Sequence, residues 1–310
     1  MYRKILVGYD GREPGRDALA LAASLRAADG VVIAACVYPA TSGTGNAPVE
    51  TLLADAASQT VAEAHAQADG DWLELRTAPG HSPAHGLHVF SEEIEADLVV
   101  VGSSDRREHG RVHAGRTGER LLNGSRCPVA VAPAGFAAAA GSPRVIGVAY
   151  DGSEGSETAL LEAMALATEF DATLKLIAVV PPVQLYWSGE AFAPGIASGE
   201  TIREQRRNGF RHMLDQAAER VPAEARAATV LLDGRPATVV AEESEKGIHL
   251  LVMGSRNYGP IRRVMVGSTA IELMRIAPCP VLVVPRGVAA PSAGGFETGA
   301  TTAVRSSHAN

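Results

Sequence analysis

The chain has 310 residues, of which 46% are apolar, 20% charged and 5% aromatic. That length suits two domains of about 150 residues, with cores of Ala, Val, Leu and Ile between helices and a parallel sheet. A net charge of −7 excludes a grip on nucleic acid through its phosphates, and no run of about 18 apolar residues is present to span a bilayer.

The opening segment, Met1–Gly11, lacks the long apolar stretch of a signal peptide and reads as a strand at Lys4–Gly8. Pro14 fits the first turn of a helix, where its missing N–H costs nothing; that helix is expected to run to about Ala28 and stop near Gly30. Val31–Val37 reads as a second strand, Pro48–Ala68 as an Ala-rich helix, and the alternating Trp72–Arg76 as a third strand at a sheet edge. Ser82-Pro83 starts a third helix. Leu98–Val101 is a fourth strand, followed by a Gly- and Arg-rich loop, a helix over Gly115–Asn123 and a fifth strand at Val129–Val131.

The order then repeats. Arg3–Gly11 (RKILVGYDG) is matched by Arg144–Gly152 (RVIGVAYDG), 141 positions on. Asp97–Asp105 is matched by His249–Asn257, and Cys127–Pro133 by Cys279–Pro285, both at an offset of 152. A constant offset over the last third of each half leaves no room for a gap there. The eleven extra residues are expected in the loop Pro181–Gly195. Strands of the second half are expected at Val145–Ala149, Leu174–Val180, Ala227–Leu231, Leu250–Met253 and Val281–Val284. The fold class is therefore α/β: two tandem five-stranded parallel-sheet domains of Rossmann-like type, paired about a pseudo-two-fold axis through their last strands. The expected division is 1–134, a linker at 135–143 rich in Gly, Ala and Pro, 144–286, and a disordered tail at 287–310. Three cysteines, Cys36, Cys127 and Cys279, with no C-x-x-C spacing, suit reduced thiols in a cytoplasm.

Open parallel sheets bind ligands beyond the carboxyl ends of their strands, where the chain changes winding direction. In each half that point holds an acid after the first strand, Asp10 or Asp151, and a Gly-rich loop after the fourth, from Gly102 or Gly254. In Gly254–Thr269, Gly254 leaves space for a ligand, while Asn257 and Gly259 accept left-handed backbone angles. Gly267-Ser268-Thr269 opens a helix whose free N–H groups form an anion site, with Ser268 placed to cap it or donate to a phosphate. Arg256, Arg262 and Arg263 add positive charge, and Asp151 is placed to accept from ribose hydroxyls or a base edge.

These residues resemble the universal stress protein family, whose nucleotide motif is Gly, two residues, Gly, nine residues, then Gly and Ser or Thr. Gly254, Asn257, Gly267 and Ser268 hold those positions, Asn257 replacing the second glycine. Asp10, Asp151 and the Cys-Pro-Val strand of each half match too, and the resemblance spans 1–286. It implies ATP or AMP binding, with a divalent cation such as Mg2+ in some members, and dimer-like pairing through the last strand. It also implies a backbone contact to adenine after strand two, at Val37 and Val179. The second-half site is assigned to Asp151, Val179, Gly254, Arg256, Asn257, Gly267, Ser268 and Thr269, with Ala149 and Met253 at its strand ends. The first-half site is assigned to Asp10, Val37, Gly102, Gly115, Arg116 and Thr117, with Gly8 and Val101 at its strand ends. There Asp105 replaces the second glycine and Arg116 the hydroxyl residue. Asp105 is unfavourable beside a polyphosphate, although Arg106, Arg107, Arg111 and Arg116 offset it, so the second half is expected to bind more tightly.

Other clusters carry less. His81, His85 and His88, and the pair His109 and His113, read as solvated surface instead of zinc ligands, and Arg203, Arg206, Arg207 and Arg211 read as a helix face paired with Glu200 and Glu204. There is no G-x-S-x-G elbow and no Walker lysine. The main reading is a nucleotide-binding regulatory protein of the stress response that acts by conformation on an unknown protein partner, as a monomer with paired domains or a homodimer. A slow ATP hydrolase using Asp105, and a partner-binding module with vestigial pockets, stay open as alternatives.

Overall fold

Among the residues described by the computed structural model (1–40, 47–68, 70–104, 110–182, 199–255 and 267–285), the two halves lay down strands and helices in the same order. The first runs β1 (Tyr2–Gly8), α1 (Glu13–Leu25), β2 (Arg26–Pro39), α2 (Ala47–Ala62), β3 (Leu73–Gly80), α3 (Pro83–Glu93), β4 (Leu98–Gly102), α4 (Gly115–Leu122) and β5 (Val129–Ala132). The second runs β6 (Val145–Ala149), α5 (Glu154–Phe170), β7 (Thr173–Val180), α6 (Gly199–Glu219), β8 (Ala227–Asp233), α7 (Pro236–Ser244), β9 (Leu250–Gly254), α8 (Ser268–Ile276) and β10 (Val281–Val284). The bounds of β4 and β9, and of β5 and β10, differ by 152 positions, the offset read from the sequence.

All ten strands join one sheet in the order β3-β2-β1-β4-β5-β10-β9-β6-β7-β8. Pairing is parallel within each half. At the centre β5 and β10 run antiparallel, with Val281 opposite Val131, Leu282 opposite Ala130 and Val283 opposite Val129. The expected pseudo-two-fold pairing is therefore a continuous ladder, which also covers two strand edges that would otherwise be open to other chains. β3 lies at one sheet edge, as its alternating sequence suggests.

Strand periodicity divides the core. Ile5 and Val7 of β1 face a cluster built with α1, α2, α5 and α6, whereas Leu6 faces one built with α3, α4, α7 and α8. Both clusters extend across the two halves. Near-continuous apolar strands are what a sheet covered on both faces requires.

The end of α1 departs from the sequence reading. The helix stops at Leu25, and Arg26 is already extended (φ −73°, ψ 137°). The Arg26 guanidinium donates to the carbonyls of Ala27, Ala28 and Gly30 and lies 5.0 Å from the Trp72 ring centroid. These contacts hold the helix-prone pair Ala27-Ala28 in β2, where Arg26 pairs with Tyr2 across a register shift. Gly30 thus serves close packing, not helix termination: a Cβ there would sit 2.8 Å from the Tyr2 carbonyl oxygen.

The segment between the halves is tied to the core. Asp17 of α1, 1% exposed, accepts from the N–H groups of Gly135 and Ala137, both at 2.8 Å. Gly135 supplies the left-handed turn (φ 79°) that aims these groups at the carboxylate. The halves also meet through Tyr2, whose hydroxyl donates to buried Glu162 of α5. Around α8, the N–H groups of Val112 and Ala114 donate to the carbonyls of Ala277 (2.7 Å) and Met274 (3.0 Å). Arg111 reaches the Ile276 carbonyl, and Arg275 pairs with Glu119. Among the described residues no helix is long and apolar enough to cross a membrane. The expected extra loop falls largely, and the expected tail wholly, outside the described residues.

Candidate functional site

Each half has a crevice at the carboxyl ends of its first, second and fourth strands. The second-half cavity measures about 290 Å³, the first-half cavity about 280 Å³. Both are near the lower end of small-ligand sites, roughly 300–1,000 Å³.

An acid followed by glycine forms one side of each. Asp151 Oδ1 accepts from the Ser153 N–H and Asp10 Oδ1 from the Arg12 N–H, both at 3.1 Å. The tight turn needs the left-handed glycines Gly152 (φ 73°) and Gly11 (φ 75°). Ser153 caps α5 by accepting from the Ser156 N–H, so the turn delivers the chain into the helix with the carboxylate held at the strand end. Behind it the Tyr150 hydroxyl donates to Glu157, and Arg220 bonds both partners. Burial, followed by the bond to Glu157, pushes the Tyr150 phenol up to about 12. In the first half Gln67 donates to Tyr9 at 2.8 Å.

Opposite the acid stands a helix start. In the second half Gly267, Thr269, Ala270 and Leu273 line the cavity; in the first, Ala114, Gly115, Arg116 and Thr117 do. The two starts differ. Gly267 is the N-cap of α8 with extended angles (φ −62°, ψ 151°), whereas Gly115 is left-handed (φ 58°). Ser268 does not cap the helix: it is the exposed first helical residue, the N-cap Gly267 makes no side-chain cap bond, and Thr269 is the hydroxyl of this helix start that lines the cavity.

Gly102 and Gly254 have a reason other than room for a ligand. A Cβ on Gly254 would lie 2.0 Å from the Gly155 carbonyl oxygen, and one on Gly102 would lie 1.9 Å from that of Pro14. The first turns of α5 and α1 rest directly on these strand ends, and only glycine permits it.

Of the second-half assignments, Ala149, Asp151, Val179, Met253, Gly254, Gly267 and Thr269 line the cavity and Ser268 does not, while Arg256 and Asn257 lie outside the described residues. All eight first-half assignments, Gly8, Asp10, Val37, Val101, Gly102, Gly115, Arg116 and Thr117, line their cavity. Asp105, Arg106, Arg107 and His109 lie outside the described residues, as do Gly259, Arg262 and Arg263. The sequence reading missed Pro83 and Leu87 of α3, Pro236 and Val240 of α7, and Phe210 of α6. The Ser82-Pro83 and Arg235-Pro236 helix starts were the available signal for the first four. Cys36 also lines the first cavity, its thiol raised by burial and then by Asp10.

The serines after the strand-ending glycines differ as well. Ser103 Oγ donates to the Ala132 carbonyl (2.7 Å) and accepts from the His113 N–H (2.8 Å). Ser255 Oγ is buried and has no hydrogen-bond partner among the described residues. Elsewhere, Arg203 and Arg207 pair with Asp233 of β8 instead of Glu200 and Glu204, and no cluster of three metal-ligating side chains occurs among the described residues.

A family model described as the universal stress protein family matches residues 1–133 and again 143–285. A universal stress protein of Mycobacterium bovis is 26% identical over 245 residues, covering 76% of this chain and 80% of the relative. The Bacillus subtilis universal stress protein YxiE is 33% identical over 144 residues, covering 44% of this chain and 95% of its own. Among solved structures, a universal stress protein from Archaeoglobus fulgidus superposes with a TM-score of 0.63 at 18% identity, covering 92% of this chain and 98% of that one.

Proposed function

The chain belongs to the universal stress protein family, with two family domains in tandem, and from that premise we propose that it is an adenine-nucleotide-binding regulatory protein of the stress response. The observation that carries this reading is the pair of equivalent cavities, each set between a strand-end carboxylate and a helix start. The helix start suits phosphate, the acid suits ribose hydroxyls, and the apolar wall around Val179 or Val37 suits a base. The ligand is ATP or AMP. Mg2+ would be held chiefly by the phosphates, since among the described residues Asp151 is the one carboxylate lining the second cavity and Asp10 the one lining the first.

The two matched segments support a division into domains at 1–134 and 144–286. Both cavities are proposed to bind, the second more tightly. The protein acts by conformation: nucleotide held at the Gly-rich loops biases a surface read by a regulatory protein partner. A link to the rest of the molecule exists, because Val112 and Ala114, at the end of the first loop, bond the last turn of α8, whose first turn lines the second cavity. Three unbridged cysteines support a reducing, cytoplasmic setting. Turnover is not the proposed role, and ATP hydrolysis by purified protein is expected to be slower than about 1 per minute, far below ordinary enzyme rates.

Equilibrium dialysis of labelled ATP and AMP tests the reading. Saturable binding by the wild type that weakens in Asp151→Ala, with an unchanged circular dichroism spectrum, is the expected result. Absence of saturable binding in the wild type removes the reading.

A further inference from the structure

One wall separates the two cavities chemically. Phe210 of α6 lines the second cavity beside Val179 and Pro181, whereas no described residue of α2 lines the first. The two helices are nonetheless in register. The space beside Gly152 is filled by Met213, as that beside Gly11 is by Thr60. Arg220 donates to Tyr150, as Gln67 donates to Tyr9. Both correspondences are offset by 153 positions, which places Phe210 where the first half has Ala57. Ala57 is buried and is not among the residues that line the first cavity. The Phe210 ring is only partly buried at the margin of the core, which leaves part of it facing the cavity.

The ring lines the same cavity as Ile177, Val179, Pro181 and Val240 but packs from the sheet face of α5 and α6, whereas Ile177, Val179 and Val240 belong to the face of α7 and α8; Asp151 and the start of α8 supply polar groups. A flat apolar ring in a cavity with aliphatic side chains matches the face of a heteroaromatic base, since aromatic pairs gain from offset stacking beyond the area they bury.

We propose that Phe210 is the specificity-determining residue of the second cavity: its ring is a surface against which a purine base packs, additional to the tyrosine that each cavity has (Tyr150 and Tyr9), and its counterpart Ala57 does not line the first cavity. This rests on the nucleotide reading above. It places the tighter binding of the second half in α6 as well as in the glycine loop.

The test is calorimetric titration of adenosine, and separately of inorganic tripolyphosphate, into the wild type, Phe210→Ala and Phe210→Leu, with Gly267→Val giving the first-cavity baseline for tripolyphosphate. Phe210→Ala is expected to weaken second-cavity adenosine binding roughly 5- to 150-fold and Phe210→Leu by an intermediate factor, with tripolyphosphate affinity unchanged in both. If Phe210→Ala fails to fold, the leucine variant, which keeps apolar bulk, carries the comparison alone. Adenosine binding unchanged in both variants overturns the inference and leaves the nucleotide reading standing. An equal fall for adenosine and tripolyphosphate also overturns it, because the ring would then shape the whole cavity. A wild type that binds neither probe overturns the nucleotide reading itself.

Discussion

Tyr2 and Glu162 form a hydrogen bond between two groups almost without contact with water. Burial is the main reason the Glu162 carboxyl rises from 4.5 to about 7; the Tyr2 bond and the chain's amino terminus oppose the rise. An acid whose pKa is raised by folding ionises more readily in the unfolded chain. Its effect is nil below about 4.5, becomes destabilising as pH climbs, and levels off above about 7 at about 3 kcal/mol. Glu162→Gln keeps a partner for Tyr2 without the charge. The expected outcome is that wild-type urea midpoints fall between about pH 5 and about pH 8 and that the variant's fall less. Equal slopes in the two proteins would show that Glu162 is not the group responsible.

Two glycines of the second site separate folding from binding. Gly254→Ala drives a Cβ to 2.0 Å from a main-chain oxygen, so overpacking of a few kcal/mol is expected whether or not nucleotide is present. Gly267 has angles that valine accepts, so Gly267→Val is expected to keep its melting temperature and lose nucleotide. Gly115→Val is no matched control, because its φ of 58° strains any branched residue by about 1–2 kcal/mol. The sequence motif marks all three glycines alike. Backbone angles and the distance to a packed helix turn distinguish them, and neither can be read from spacing.

Legibility also varied among the elements. Strands were clear wherever apolar runs were short and bounded, as at β4 and β5, and repetition at 152 positions fixed their partners β9 and β10. The α1–β2 boundary was not, since Ala27-Ala28 favours helix, whereas the Arg26 bonds to the Ala27, Ala28 and Gly30 carbonyls and its place over Trp72 accompany an extended chain there. From its arginines, helix α6 reads as a salt-bridged surface. That reading overlooks Phe210, one aromatic residue among charged neighbours, which gives no periodic signal. The segment joining the halves has a linker's composition, yet its path depends on Asp17, distant in sequence. Replacing that carboxylate removes the acceptor of two N–H groups. Asp17→Ala is expected to cost about 1–3 kcal/mol and to speed proteolytic cleavage within 134–143, with Asp17→Asn between it and the wild type. Cleavage rates equal to wild type would mean that the latch does not hold the segment.

Over the whole molecule, two repeats have become one sheet. The β5–β10 ladder and the two core clusters that cross it make separate unfolding of the halves unfavourable. A single calorimetric transition is expected, and two resolved transitions would count against this coupling. The same symmetry sets two cavities of nearly equal volume on one scaffold, yet with different helix starts and different walls. The sequence located both cavities through an acid and a glycine loop, but gave no view of how far each was built. The central claim is that the second cavity binds an adenine nucleotide at the start of α8. Isothermal titration of ATP into the wild type and Gly267→Val tests it most directly. The account predicts that the tighter of the two binding events disappears in the folded variant while the weaker one persists. Identical isotherms for the two proteins, or loss of the weaker event alone, would contradict it.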